Sequence, residues 1–179
     1  GTPLPASASA RQSLLAQGGA IEETLREAVI LASLITHPAL IHRFESAFER
    51  LDLTGEDHNT LRALLLAHAD EDAASLTDIL RNHAGPALDA LMRRPHVQIA
   101  PPVRNRSDAD LATLCLAEEM AKLVAHRAAR REIEDAVEDL SGLADEGLTW
   151  RLSQATKARH RADHPDREDS GDLGEDHAA

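Results

Sequence analysis

The sequence is short of almost everything that a β-sheet core, a disulfide framework or a membrane span requires. Aromatic residues are 2% of its 179 residues: two Phe, one Trp and no Tyr. Leu, Ile, Val and Ala must therefore supply the buried surface, and that composition points to packed helices, because strands favour aromatic and β-branched residues. Cys115 is the only cysteine, which excludes a disulfide within the chain and agrees with a reducing, cytoplasmic location. No apolar run approaches the roughly 20 residues of a membrane span. The start lacks the charged-then-apolar pattern of a secretion signal, and beginning at Gly1 instead of Met predicts that a longer parent protein precedes it. Bases are outnumbered by acids, 19 to 31, for a formal charge of −12. Tight binding to a nucleic-acid backbone needs a cationic surface, so none is expected.

The residues of catalysis are missing as well. Gly18-Gly19 is not followed by Lys-Ser or Lys-Thr, so there is no phosphate loop. Asp70, Glu71 and Asp72 lack the glycine-centred spacing of a calcium loop. Cys115 falls among Leu111, Leu114 and Leu116, where a free cysteine acts as a small hydrophobe. Ten histidines raise the question of a metal. His160 and His164 are one helical turn apart, but Pro165 follows and no third ligand converges. His37 and His42, five residues apart, do not share a helix face. Surface or capping positions are expected for these histidines, and no metal, cofactor or catalytic residue is expected in this chain.

What is present is helical periodicity. Residues 1–21 mix Pro, Ser, Ala, Gly and Gln and read as a linker. Within 22–36, Leu25, Ala28, Val29, Ala32 and Ile35 recur at three- and four-residue steps, with Ile30, Leu31 and Leu34 beside them, which predicts a helix at the centre of a bundle. Pro38 opens a second helix with Leu40, Ile41, Phe44, Ala47 and Phe48 in one stripe. Leu61, Leu64 and Leu65 mark a third helix; Ser75 with Asp78 caps a fourth, which Gly85 ends; Pro86 opens a fifth. Pro95, Pro101 and Pro102 make 93–106 a non-helical crossing, briefly extended at Val97, Gln98 and Ile99. Ser107 with Asp110 then caps a long helix reaching about Leu140. Gly142 and Gly147 predict a tight reversal, after which Leu148, Leu152 and Ala155 face Ile133, Val137 and Leu140 in an antiparallel hairpin. The expected architecture is all-α: linker 1–21, bundle 22–108, long helix and C-terminal helical hairpin 109–162, and a disordered acidic tail 163–179.

Charge divides the C-terminal region sharply. Residues 163–179 hold seven acids and the single base Arg167, whereas 149–161 hold Arg151, Lys157, Arg159 and Arg161 and no acid. Such cations can complement the negative end of a helix dipole. Beside the only Trp of the chain, Trp150, they also have the composition of an interface hot spot, although Trp150 could equally close the hairpin core.

The order of these features resembles a known family. Arg26-Glu27 opens an apolar helix that ends in Leu34, His37-Pro38 and Leu40; short helices and a long helix follow, and then Trp150-x-Leu152-x-Gln154. This resembles the C-terminal domain of DnaG-type bacterial primases, over about residues 22–161. The resemblance implies a bundle and a hairpin that docks on the N-terminal domain of the hexameric replicative helicase, recruiting primase to the fork for primer synthesis in DNA replication. Taken with the hot-spot composition, it gives the expected partner-binding residues Trp150, Arg151, Gln154, Lys157 and Arg159. Gln154 matches a family position implicated in helicase contact; Lys157 and Arg159 flank the place of a family lysine, which is Ala158 here. The acidic extension departs from the family pattern. The zinc module and polymerase core of a primase have no counterpart in these residues, so binding without polymerisation is expected. Two other readings are the N-terminal domain of the helicase itself, which has a similar bundle and hairpin, and a small His-dependent metalloenzyme.

Overall fold

The aromatic-poor composition yields helices throughout. The computed structural model describes residues 8–163, and side chains from residue 16 to 158 together with that of Ser13; among the described residues there is no strand. The elements are α1 (Ala8–Thr36), a 3-10 turn (Pro38–Leu40), α2 (Ile41–Glu49), α3 (Glu56–Ala67), α4 (Ala73–Met92), α5 (Pro95–Ile99), α6 (Pro101–Arg104) and α7 (Ala109–Asp163). The all-α class expected from the composition is what the chain adopts.

Helix α1 is the axis of the bundle and packs against α3, α4, α5 and α6. Ile30, Leu31, Ala32 and Leu34 are wholly buried on it, which explains a helix apolar on most of its sides. Around it close Ile41 and Phe48 of α2, Leu61 and Leu65 of α3, and Leu76, Leu80 and Leu91 of α4. Contacts divide the chain into two compact units, Gly1–Arg130 and Arg131–Ala179. The first part of α7 belongs to the first unit, where Ala112, Leu116, Met120 and Leu123 join the core.

Several local expectations give way to the structure. Helix α1 begins at Ala8, inside the stretch expected to be a linker. Its Ala, Gln, Arg and Leu are strong helix formers, and the two glycines each cost only about 1 kcal/mol relative to Ala. Residues 1–7 lie outside the described residues. The 93–106 crossing holds two short helices instead of an extended run, because Pro95 and Pro101 each stand at the first helical position, where the missing N–H is no loss. Ala100 between them is extended, as a residue preceding proline prefers. The break expected at Gly85-Pro86 is present, one residue earlier: Ala84 interrupts α4 with φ −143° and ψ 34°.

Capping also falls elsewhere than expected. Asp72, not Ser75, caps α4: its side chain accepts from the backbone N–H groups of Ala74 and Ser75 at 2.9 Å. Those bonds hold the Asp72 carboxyl below the ordinary Asp range. Asp108, not Ser107, performs this role for α7, accepting from Leu111 N–H at 2.9 Å. Replacement of Asp72 by Ala should lower stability, read as a drop in urea midpoint at unchanged slope. A midpoint equal to the parent's would remove Asp72 from this role.

The largest correction concerns the C-terminal hairpin. Helix α7 runs unbroken for 55 residues, so the chain does not reverse between 141 and 147. Gly55 is the only described glycine with positive φ; Gly142 and Gly147 are ordinary helical residues. Glycine permits a left-handed helix stop without compelling one. Here Leu143, Ala144 and Glu146 between the glycines are good helix formers, and no proline follows to enforce an ending. The acidic tail beyond Asp163 lies outside the described residues.

Candidate docking surface and a buried ionic cluster

The residues singled out for partner binding share one element. Trp150, Arg151, Gln154 and Lys157 all lie on the second part of α7 and are exposed, Trp150 at 64%. Trp150, Gln154 and Lys157 follow one another at four- and three-residue steps and so occupy one face. Leu148, Leu152 and Ala155, with the backbone position of Arg159 a further four residues on, occupy another. Arg151 lies between the two; the side chain of Arg159 is outside the described set. The helix thus brings together Trp150, Gln154 and Lys157 and separates Arg159 from them.

Exposure is general in this unit. Every described side chain from residue 131 to 158 is exposed, with only Gly147 half-buried. That includes Ile133 at 65%, Leu140 at 67%, Leu148 at 52% and Leu152 at 61%. Contiguous apolar surface of this kind on a helix marks an interaction face. The chemistry available to it is that of contact: apolar anchors, one indole, and guanidinium and ammonium groups at the margins.

In the first unit, sequence reading overlooked a buried ionic cluster. Glu23 and Glu27 stand on the same α1 face as Ile30 and Leu34, at steps of four, three and four, and are 1% and 0% exposed. The matching stripe on α7, Leu116, Met120 and Leu123, continues four residues later to Arg127, which is 8% exposed. Arg127 donates from Nε to Glu23 at 3.1 Å and from Nη2 to Glu27 at 2.5 Å. Arg130 and His126 also reach Glu23, at 3.1 Å and 3.3 Å. Glu27 further accepts from Thr54 N–H at 3.0 Å, from the Thr54 hydroxyl at 2.9 Å and from His58 Nδ1 at 2.7 Å. Burial alone would raise the Glu27 carboxyl; the bonds from His58 and Thr54 outweigh it and hold the group below the ordinary range. The sequence carried a signal for this, since two acids on the buried stripe of an apolar helix demand buried cations.

The cluster joins α1, α3, α7 and the turn before α3, and a second tie lies beside it. Arg26 bonds Glu22 and Glu119, each at 2.8 Å. Of the histidines expected at surface or capping positions, His37 is the N-cap residue of the 3-10 turn yet is 7% exposed and donates from Nε2 to the Pro102 carbonyl at 2.7 Å, and His58 is 4% exposed. His42 is exposed, 2.9 Å from Asp70. Burial, with Glu118, Glu119 and Asp108 nearby, pushes the Cys115 thiol up, away from the thiolate form a nucleophile needs. Among the described residues no three His, Cys, Asp or Glu side chains are grouped to hold a metal ion, and no single helix is long and apolar enough to cross a membrane.

Compared with protein-family models, curated proteins and solved structures, the chain finds no match.

Proposed function

We propose that this chain is a protein-docking module of a replication protein, the helicase-binding domain of a DnaG-type bacterial primase, and that the second part of α7 is its docking element. One observation carries the docking reading: the sole Trp of the chain stands exposed on a helix face with Gln154 and Lys157, away from the core that an aromatic-poor chain would be expected to reserve it for. Large aromatic and cationic side chains together are the residues that dominate interface energetics. The resemblance of Arg26-Glu27, His37-Pro38 and Trp150-x-Leu152-x-Gln154 to the primase domain supplies the partner, the N-terminal domain of the hexameric replicative helicase. In this reading the bundle is a rigid base, and the fragment recruits primase to the fork without polymerising.

Tryptophan emission tests it. Adding the cognate helicase N-terminal domain at micromolar concentration should blue-shift Trp150 emission and raise its anisotropy, after subtraction of any partner Trp. Trp150→Ala should weaken co-elution by at least tenfold, the effect of about 1.4 kcal/mol or more at a hot spot. Emission and anisotropy both unmoved, with the two proteins eluting apart, would end the assignment.

A further inference from the structure

Along the unbroken α7 an apolar stripe stands exposed among the described residues. Ile133, Val137, Leu140, Ala144, Leu148, Leu152 and Ala155 recur at steps of four, three, four, four, four and three, all exposed. Two successive eleven-residue spans, 133–144 and 144–155, keep the stripe on one side of a nearly straight helix, because 3.67 residues per turn is close to the natural 3.6. The stripe is about 33 Å long at 1.5 Å per residue. It faces away from Trp150, which lies on a different face of the same helix.

Two properties of this stripe name its occupant. The first is its near-symmetry about Ala144: in an antiparallel pair, Ala144 meets Ala144, Leu140 meets Leu148, Val137 meets Leu152, and Ile133 meets Ala155. The second is charge. Residues 131–146 carry seven acids and one base, while 149–161 carry four bases and no acid. Laid antiparallel about Ala144, residues 131–146 of each helix lie along 142–157 of the other, so that Arg151 and Lys157 fall among acids; laid parallel, the seven acids of 131–146 fall on their own copies. An isologous two-fold contact of this type is the commonest way for a chain to close on itself. We propose that a second copy of this chain covers the stripe, pairing antiparallel through 133–155 with Ala144 at the two-fold axis. The contacts that a hairpin would make within one chain are thereby made between two. The pairing leaves the Trp150 face outside the apolar seam and stands whether or not the partner in the preceding section is a helicase.

The test uses the whole chain. Sedimentation equilibrium at rising micromolar concentration should give a mass moving from one chain to two, and Leu148→Glu with Leu152→Glu should weaken the association by at least tenfold, with helicity retained. Register is read by cysteines in a Cys115→Ser background: under mild oxidation Ala144→Cys should link to itself, Val137→Cys should link to Leu152→Cys, and Val137→Cys should not link to itself. A single-chain mass at every concentration would overturn the pairing. Self-linking by Val137→Cys as readily as by Ala144→Cys would overturn its antiparallel sense. Trp150→Ala separates this contact from helicase docking, since it should leave the two-chain mass unchanged.

Discussion

Glu27→Gln should lower the stability of the folded chain by roughly 3 kcal/mol, the low end for removing one partner from a buried ion pair. The carboxylate is wholly buried and receives Arg127, His58 and both Thr54 donors, so neutralising it leaves the Arg127 charge dependent on Glu23 alone. For a chain of this size the melting temperature should fall by about 6–12 °C. The pH dependence carries a second signature. A carboxyl held below its unfolded value of about 4.3 adds stability in full above that value and loses it as pH falls through the lower, folded one. The deficit of Glu27→Gln should therefore be constant near neutrality and narrow as pH drops below about 4. Circular dichroism melts across pH measure both effects, and a variant as stable as the parent at pH 7 would show that the cluster is not what ties α7 to α1.

Phe48→Ala should be at least as damaging, with a loss of about 3–5 kcal/mol. Phe48 is one of two Phe in the chain and is 0% exposed. The other buried members of the core are aliphatic side chains, alanines and Met120, close-packed so that they cannot fill a hole of that size without leaving their own contacts. The vacated volume remains a cavity, and the cost follows from it. Phe44, four residues earlier and half-buried, should lose distinctly less on the same replacement. Equal losses at the two positions, read from urea midpoints, would place the aromatic weight of the core elsewhere.

The helical class and the membership of the core were legible because apolar periodicity over α1, α2, α3 and α4 is strong and the aromatics are few. Phe48, Leu61 and Leu65 read directly from three- and four-residue steps; on α1 the wholly buried Ile30, Leu31 and Leu34 flank the expected stripe, whose first member, Leu25, is 39% exposed. What stayed hidden has local physical causes. The expected 141–147 reversal rests on Gly142 and Gly147, yet glycine only lowers helix stability, and the intervening residues restore it. The α4 and α7 caps fell to Asp72 and Asp108 in place of the nearby serines Ser75 and Ser107, since Ser and Asp are nearly equal as caps and their order is set by the turn ahead of the helix. The Glu23, Glu27 and Arg127 cluster involves partners about 100 residues apart, a separation at which no periodicity can announce the match. Within the candidate docking face, Trp150, Gln154 and Lys157 lie together as their four- and three-residue spacing requires, whereas Arg159 falls on the leucine side of the helix.

The placement of the one indole has an optical consequence. With no Tyr anywhere and Trp150 standing among solvent-facing side chains of the second unit, the core of the first unit has no near-ultraviolet chromophore except phenylalanine. Intrinsic fluorescence would barely register the melting of that core. A titration of this protein followed only by its emission would report a transition in one place while the hydrophobic centre came apart unseen.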